Sequence, residues 1–344
     1  MKTKKTSLVT GGAGFLGSHV AERALKMNQT VIVLDDLSGG FTSNVPRGCI
    51  FVKGSINNER LLDEIFKKYQ FNYIYHLAAY AAEGLSHFIR KFNYENNLIG
   101  SVNLINRAVN YKIDHFVFTS SIAVYGSNQT PMTEDLTPRP EDPYGISKYA
   151  VELDLAAAHS LFGLNYSIFR PHNIYGERQN HSDPYRNVLG IFINNIMMGK
   201  PMTIFGDGKQ TRAFTHIDDV APFIVKAVDI KDAKNEVFNI GADSPYTVLE
   251  LAYQVARTMG VKPRLAFLPK RHEVVHAFAD HSKVRRVFNI KTTIDLETGV
   301  KRMVEWAKKI GPLKPQKFKG VEINKKIPPS WKKLIHSTTP NSEL

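Results

Sequence analysis

The sequence predicts an α/β fold in which a doubly wound parallel sheet carries a smaller C-terminal lobe. Up to about residue 169, short apolar runs alternate with helical segments, and a glycine-rich turn follows the first run directly. Runs that are apolar on both faces are typical of parallel strands that are covered by helices on both sides. The predicted architecture is therefore Rossmann-like, and its ligands should bind at the carboxyl ends of the strands.

Six apolar runs are predicted as strands, at residues 8–10, 31–34, 50–52, 73–77, 116–119 and 166–169. They place a Rossmann domain over residues 1–176. Polar loops, prolines and shorter elements then indicate a substrate-binding lobe over 177–312. Within it, a segment near 213–241 ends in an apolar run at 237–241 that should return to the sheet as one more parallel strand. A basic, proline-containing tail is expected over 313–344.

Composition argues against several classes of protein. No stretch approaches the ~18 apolar residues of a membrane span, and the N-terminus has no signal-peptide core. A single cysteine, Cys49, allows no intrachain disulfide, so a reducing, cytoplasmic location is expected. The net charge of +13 owes much to lysines after about residue 300. We interpret these as a solvated tail; a nucleic-acid or membrane patch is the alternative, but no aromatic-basic pattern of a known module accompanies them.

The glycine-rich turn is Thr10-Gly-Gly-Ala-Gly-Phe-Leu-Gly17, and a helix is predicted over 18–27. Gly11, Gly14 and Gly17 let the backbone turn tightly, approach a pyrophosphate and pack the helix on the sheet, while the helix N-terminus faces the anion. A glycine triplet alone is a weak signal. Its position between a first strand and a first helix favours dinucleotide binding over a turn without a ligand.

The second strand ends in Asp35 and Asp36, about 20 residues after the glycine turn. A carboxylate at this place can accept hydrogen bonds from the adenosine ribose hydroxyls, and its charge would repel a 2′-phosphate. The sequence therefore predicts NAD rather than NADP as the cofactor.

Tyr144 and Lys148 are four residues apart at the start of a helix that follows Pro143, so both side chains should lie on one helix face. A phenol is a poor base at neutral pH, but a nearby ammonium and a nicotinamide cation favour the phenolate. By itself this spacing is common on helix surfaces. Its position after the glycine turn and a serine-ended strand favours a pair that moves a hydroxyl proton.

The predicted strand at 116–119 ends in Ser120 and Ser121, beside the expected nicotinamide position. Ser121 should hydrogen-bond the same substrate oxygen as Tyr144 and stabilise the charge that develops on it. Ser120 and Tyr125 either contribute to the site or only pack and cap the loop.

Together these motifs resemble the extended short-chain dehydrogenase/reductase family of NAD-dependent sugar epimerases and dehydratases, most closely its UDP-glucose 4-epimerase group. The resemblance runs from about Ser7 to Trp306. The segments that carry it are 10–17 (TGGAGFLG), 76–79 (HLAA), 97–100 (NLIG), 120–126 (SSIAVYG), 144–148 (YGISK), 170–176 (RPHNIYG), 204–208 (IFGDG), Arg212 and 279–280 (AD).

The resemblance implies a role for each of these segments. Tyr144 would be the acid/base, Lys148 would bind the nicotinamide ribose, and Ser121 would contact the reacting hydroxyl. The NAD contacts would come from Gly11, Gly14, Phe15, Leu16, Gly17, Asp35, Asp36, Ser55, Ile56, Leu77, Ala78, Ala79, Asn97, Ser120, Tyr144 and Lys148. The UDP-sugar contacts would come from Ser121, Tyr144, Asn173, Asn187, Val188, Thr203, Phe205, Arg212, Arg271 and Ala277. No metal site is expected.

Arg212 suits the diphosphate because its planar guanidinium can meet phosphate oxygens in bidentate fashion; surface arginines are the alternative for Arg212 and Arg271. The implied reaction removes the 4-hydroxyl proton as hydride passes to NAD, lets the 4-keto sugar turn, and returns the hydride to its other face. NAD then ends as it began and should remain bound.

Departures from the family narrow the chemistry. Related dehydratases carry an Asp-Glu pair, and related decarboxylases a Glu, where this chain has Ile122 and Ala123. Relatives that act on UDP-glucuronate tend to have Thr and Arg where Asn173 and Asn180 stand. Both comparisons favour a 4-epimerase of uncharged sugars.

Three further positions depart from the family pattern. The small Ala277 suggests room for an N-acetyl group, although it is equally an ordinary core alanine. Ser55 replaces the aspartate that usually contacts adenine. Glu83 could face the sugar, but we interpret it first as a loop or supporting residue.

Alternatives remain at this stage. A reductase or dehydrogenase would exchange its cofactor at each turnover, and a non-catalytic nucleotide-binding regulator would commonly lack Tyr144 or Lys148. Neither a nucleic acid nor a membrane is expected as partner. The helices predicted near 94–111 and 144–161 are where family members form homodimers, so a homodimer is expected, although their apolar residues would equally suit packing on the sheet.

Overall fold

A seven-stranded parallel sheet, covered by helices on both faces, forms the centre of the computed structural model, which describes residues 4–127, 129–270, 276–315, 318, 320–329 and 331–332. The strands are β1 (Thr6–Thr10), β2 (Thr30–Asp35), β3 (Ile50–Lys53), β4 (Tyr73–His76), β5 (His115–Thr119), β6 (Tyr166–Pro171), β7 (Ile174–Tyr175), β8 (Met202–Phe205), β9 (Thr211–Ala213), β10 (Thr215–His216), β11 (Glu236–Ile240), β12 (Pro245–Thr247), β13 (Leu265–Leu268) and β14 (His276–Ala277).

The α-helices are α1 (Phe15–Lys26), α2 (Glu59–Tyr69), α3 (Glu83–Ser86), α4 (Arg90–Tyr94), α5 (Gly100–Asn110), α6 (Pro143–Phe162), α7 (Val188–Met197), α8 (Ala221–Lys226), α9 (Val248–Met259), α10 (Ser282–Phe288) and α11 (Leu296–Ile310). A single π-helical turn, Glu95–Ile99, joins α4 to α5. Among the described residues, no helix is long and apolar enough to cross a bilayer.

The strand order in the sheet is β3-β2-β1-β4-β5-β6-β11, and every neighbouring pair is parallel. The predicted α/β fold class is therefore confirmed. The connections leave β1 and β4, which are neighbours, in opposite directions, and this reversal opens a crevice at their carboxyl ends. At one edge β11 pairs with β6, so the chain does return to the sheet after building most of the second lobe.

Alternation along each strand distributes the apolar side chains between two layers. Leu8 and Phe116 face the layer that also contains side chains of α2, α5 and α6. Val9 and Val117, one residue further along, face the opposite layer with α1, α8 and α10. Because successive side chains of a strand point to opposite faces, an apolar run without alternation fills both layers.

The second lobe has its own core between α7, α9 and α11, centred on Phe192, Leu251 and Met303. Three small sheets, β12-β9-β14, β13-β8 and β10-β7, stand beside this core. They place the carboxyl end of β8 and the strand β9 opposite the crevice of the large sheet, so that one cavity lies between sheet and lobe.

The described lysines of the C-terminal segment, Lys314, Lys325, Lys326 and Lys332, are exposed, as expected for a solvated tail, but the segment also contains buried apolar residues. Ile327 and Trp331 are each only 3% exposed, and they pack with Leu85, Ile89 and Tyr185. The many lysines of the segment dominated the interpretation of its sequence. The few apolar side chains between the lysines are buried, because in the folded chain they pack against apolar residues of distant segments.

Candidate active site

One cavity of about 730 Å³ lies between the carboxyl ends of the large sheet and the second lobe. Nearly all of the residues that the sequence singles out line it, from the glycine turn and Asp36 at one end to Phe205, Arg212 and Ala277 at the other. Asn97 instead lies behind the wall, where its side chain bonds both backbone groups of Tyr80. Arg271 lies outside the described residues.

The glycine turn is shaped by close backbone packing. A Cβ on Gly17 would lie 2.1 Å from the carbonyl oxygen of Gly11, and one on Gly11 would lie 2.8 Å from the backbone of Ala78. Gly11 also has a left-handed φ of +69°. Only glycine therefore lets α1 begin this close to β1, with its N-terminal N–H groups directed at the cavity.

Asp35 and Asp36 have different environments. Asp35 is buried, and its carboxylate accepts hydrogen bonds from the N–H groups of Ala13 (3.0 Å) and Leu37 (2.8 Å). Burial raises the pKa of Asp35, and these hydrogen bonds oppose that effect. Asp36 is exposed and lines the same end of the cavity. Asp35 therefore fixes the glycine turn, while Asp36 presents a more accessible carboxylate to a ligand.

A dinucleotide fits these residues. The backbone cradle at Gly11 and Gly17 has no room for a side chain, so it can approach a pyrophosphate closely. Nearer the catalytic pair, the Oγ1 of Thr119 is buried, lines the cavity and has no hydrogen-bond partner among the described residues. A buried hydroxyl of this kind is normally paired, so a ligand atom is the expected partner.

Helix α6 carries the predicted catalytic pair. Asp142 caps the helix by accepting from the N–H of Gly145 (3.0 Å), and Pro143 stands in the first turn, which is where proline is tolerated. Tyr144 is thereby held in the first turn and Lys148 one turn later, on the face towards β5. The Lys148 Nζ donates to the carbonyl oxygen of Thr119 at 2.7 Å and lies 5.9 Å from the Tyr144 ring centroid.

Burial changes the proton affinity of both members of the pair. Burial lowers the pKa of Lys148 to about 7, although the nearby Glu152 acts to raise it. Burial raises the pKa of Tyr144 well above its ordinary value, while a hydrogen bond from Ser121 acts to lower it. Desolvation is thus the largest influence on the Tyr144 pKa in the chain alone, and the expectation that an ammonium and a nicotinamide cation together favour the phenolate stays a prediction.

Three charged side chains also act on Tyr144. Asp142 and Glu83 raise its pKa and Arg186 lowers it. All three line the cavity. Arg186 is nearly buried: its guanidinium lies over the Tyr80 ring at 4.8 Å, and its Nε donates to Asp183 at 2.7 Å. Glu83 therefore belongs to the wall of the site.

Ser120 and Tyr125 belong to a buried polar network behind the site. Ser120 lines the cavity, but its hydroxyl donates to Glu152, which also forms a buried ion pair with Arg170. Arg170 in turn donates to the Tyr125 hydroxyl at 2.6 Å, and Tyr125 donates to Asn239 at 2.9 Å. Tyr125 therefore belongs to this network and not to the cavity lining, whereas Ser120 belongs to both.

The far end of the cavity is built from the second lobe. Arg212 on β9 pairs in register with Ala277 on β14, and Thr203 and Phe205 come from the adjacent strand β8. Asn173 leaves β6 with a left-handed φ of +41° that turns the chain into this end. Asn187, also left-handed at +60°, precedes α7, whose first residue is Val188. The predicted substrate residues that the structure describes are thus brought to one cavity.

Arg186 and Trp331 are among the residues of the wall that sequence reasoning missed. Arg186 stands in a polar loop, where no local pattern separates a buried arginine from a surface one. The sequence does contain a signal for Trp331, because a tryptophan in a lysine-rich segment seldom remains exposed.

The family model described as NAD dependent epimerase/dehydratase matches residues 7–241. A candidate UDP-glucose 4-epimerase of Methanocaldococcus jannaschii is 35% identical over 305 residues, which are 88% of this chain and 98% of the relative. The crystal structure of Thermotoga maritima UDP-glucose 4-epimerase with UDP-glucose superposes with a TM-score of 0.84 at 34% identity, covering 89% of this chain and 99% of that one.

The Bacillus cereus UDP-glucuronic acid 4-epimerase, solved with UDP-glucuronic acid and NAD, has a TM-score of 0.80 at 30% identity, with 89% and 99% coverage. These proteins share the fold and differ in the sugar that their names give. The resemblance inferred from the motifs is thereby confirmed, and so is NAD as the cofactor. The chain is an enzyme that belongs to the NAD-dependent epimerase/dehydratase family.

Proposed function

We propose that the enzyme inverts C4 of a UDP-sugar through a transient 4-keto intermediate. The observation that carries the proposal is the position of Tyr144. Its buried phenol, hydrogen-bonded by Ser121, lies in one continuous cavity with the glycine turn on one side and Arg212 and Phe205 on the other. A nucleotide-sugar whose diphosphate meets Arg212 can present its sugar to Tyr144 from that side.

Each residue then has a definite task. When bound, NAD supplies the reversible two-electron oxidation of the carbinol carbon. Tyr144 takes the hydroxyl proton and later returns it, and Ser121 donates a hydrogen bond to the same oxygen. Lys148, held by the Thr119 carbonyl at 2.7 Å, lies beside the phenol and binds the nicotinamide ribose. Because burial raises the pKa of Tyr144, the phenolate requires positive charge beside it.

We infer an uncharged hexose or its N-acetylated form as the sugar. Ala277 lines the cavity beside Arg212 and leaves space that a bulky aromatic would fill. Asn173 and Asn180, both at the cavity wall, offer amides rather than the cation that a uronate carboxylate would require. Arg186 does not supply such a cation, because Asp183 already neutralises it.

The test is to incubate the purified enzyme, without added cofactor, with UDP-glucose, UDP-N-acetylglucosamine, UDP-glucuronate and GDP-mannose, and to follow the sugar protons by NMR. We expect conversion of at least one of the first two to its C4 epimer. Tyr144→Phe should reduce that rate by at least about 10³-fold, and Ser121→Ala by about 10²-fold. No conversion of any of the four would refute the proposal. Consumption of added NAD in step with product would favour a dehydrogenase instead.

We also propose a homodimer through α6 and the end of the π turn. Leu153 and Leu161 of α6 are 54% and 75% exposed, and Ile99 is 51% exposed. Exposed apolar side chains on adjacent helices are typical of a subunit interface. Light scattering should give twice the chain mass of 38.8 kDa, and Leu153→Lys should shift it towards the monomer. A monomer mass for the wild type would refute this.

A further inference from the structure

The segment that follows α11 is anchored to the loop and helix after β4. Both carboxylate oxygens of Glu322 accept hydrogen bonds at 2.8 Å, one from the N–H of Lys91 and one from that of Phe92, in the first turn of α4. The N–H groups of Glu322 and Ile323 donate to the carbonyl oxygen of Phe88 at 2.8 and 3.2 Å. These four bonds fix the segment in register with the residues that precede α4.

Aromatic packing holds the rest of the segment in place. The Phe318 ring lies 5.1 Å from those of both Tyr80 and Phe92, centroid to centroid. Trp331 packs edge-on against Tyr185 at 5.4 Å and is 3% exposed. Aromatic contacts at these distances stabilise an interface beyond the area that they bury. The segment is therefore an integral layer of the folded protein.

Trp331 reaches the cavity in which Tyr144 lies. It lines the wall, and its Cη2 stands 3.3 Å from the place where a Cβ on Gly84 would be. The indole is thus in contact with α3 on one side and with Tyr185 on the other. Gly84 and Tyr185 are the immediate neighbours of Glu83 and Arg186, two of the charged residues that act on the Tyr144 phenol.

We propose that Trp331 determines sugar specificity: its indole closes the sugar end of the cavity and holds Glu83 and Arg186 in position around Tyr144. The inference rests on the proposed function, which brings the sugar to Tyr144. An indole suits this position because it offers a rigid apolar face to a sugar ring and excludes water.

The first test measures the position of Trp331 directly. The sequence has two tryptophans, at 306 and 331, so Trp306→Phe leaves Trp331 as the sole emitter. Titration of this variant with UDP-glucose and UDP-N-acetylglucosamine should change the emission intensity or wavelength. UDP alone, which lacks the sugar, should change it much less. A Trp306→Phe, Trp331→Phe double variant gives the background.

The second test measures specificity. We expect Trp331→Ala to change the ratio of kcat/KM for UDP-glucose to that for UDP-N-acetylglucosamine by about tenfold or more, because a missing group in a specificity pocket has effects of this size. Trp331→Phe should restore most of the wild-type ratio. Tyr253→Ala, which removes a half-exposed aromatic from α9 away from the cavity, should leave the ratio unchanged.

Two results would overturn the proposal: a sole-tryptophan emission that responds equally to UDP and UDP-sugars, or a kcat/KM ratio within twofold of the wild type in Trp331→Phe and Trp331→Ala alike. The latter, together with a lower unfolding free energy, would assign Trp331 a purely structural role. If Trp331→Ala does not fold, the fluorescence titration and Trp331→Phe still decide. Failure of the proposed function is distinguishable, because the wild-type enzyme itself would then convert no sugar.

Discussion

His172 and His281 face each other in the interior, with ring centroids 5.1 Å apart and the two Nε2 atoms at 2.9 Å. His172 Nδ1 lies 2.9 Å from the carbonyl oxygen of Ala213, which can only accept, so this nitrogen carries the proton and Nε2 accepts from His281. His281 Nδ1 lies 2.7 Å from Asp243 and donates to it. His281 thus links His172 to Asp243.

This pair supports the substrate end of the cavity, because His172 precedes Asn173 and bonds the residue after Arg212. We expect His281→Phe to lower the unfolding free energy by about 1–3 kcal/mol, since the buried His172 Nε2 would lose its partner. KM for the nucleotide-sugar should rise more than kcat falls. Urea unfolding and steady-state kinetics measure both. Arg285→Ala removes only the exposed second partner of Asp243 and should be nearly neutral; an equal effect of the two variants would contradict the assignment.

A second prediction concerns the buried ion pair of Glu152 and Arg170, whose side chains are 5% and 4% exposed. Glu152→Gln should lower the unfolding free energy by about 3 kcal/mol, because the arginine charge would remain buried without a counter-charge. Asp154→Asn on the same helix is the control. Burial raises the pKa of Asp154, so a neutral amide there should not destabilise the protein. Equal midpoints of urea unfolding for the two variants would contradict the prediction.

The glycine turn provides a third prediction. Gly17→Ala places a Cβ 2.1 Å from the carbonyl oxygen of Gly11, so α1 must move away from β1. We expect the amount of NAD retained through purification to fall at least tenfold, as measured by chromatography of the released nucleotide. Gly39→Ala meets only the end of the flexible Arg186 side chain, at 3.4 Å, and should keep its NAD. Retention of NAD by Gly17→Ala would mean that the turn is not the pyrophosphate site.

The fourth prediction concerns acid stability. Burial acts to raise the pKa of Glu177, but His216 and Arg302 outweigh it and lower this pKa to about 2 from an ordinary value near 4.5. The ionised form is therefore favoured by folding, and its contribution is fully present above pH 4.5 and lost as the pH falls towards 2. Glu177→Gln should destabilise the protein by about 1–2 kcal/mol at pH 7.

The difference between wild type and Glu177→Gln should stay constant from pH 7 to 5 and shrink below 4.5, as measured by urea unfolding at several pH values. Glu64→Gln, which breaks an exposed pair with Arg60, should change the unfolding free energy by no more than about 0.5 kcal/mol at any pH. If the difference in unfolding free energy between wild type and Glu177→Gln grew as the pH fell, the prediction would be contradicted.

The local patterns of the sequence predicted a large part of the fold and of the candidate site. The glycine turn predicted the approach of α1 to β1, because a Cβ at Gly17 cannot fit whatever the rest of the chain does. The four-residue spacing of Tyr144 and Lys148 placed both on one face of α6, since helix geometry alone fixes that relation. The apolar runs predicted the parallel sheet and its two layers. The roles of these residues in catalysis stay predictions until the variants are measured.

Only the tertiary structure determined the environment of each residue of the candidate site. It separated buried Asp35 from exposed Asp36, which are adjacent and chemically identical in the sequence. It decided that burial raises the pKa of Tyr144, because desolvation depends on everything packed around a phenol. It brought Trp331 to Gly84 and Arg186 to Tyr80, pairs more than a hundred residues apart in the chain. Spacing along a strand or helix is fixed by backbone geometry, whereas burial and charge depend on contacts between distant segments that no local pattern records.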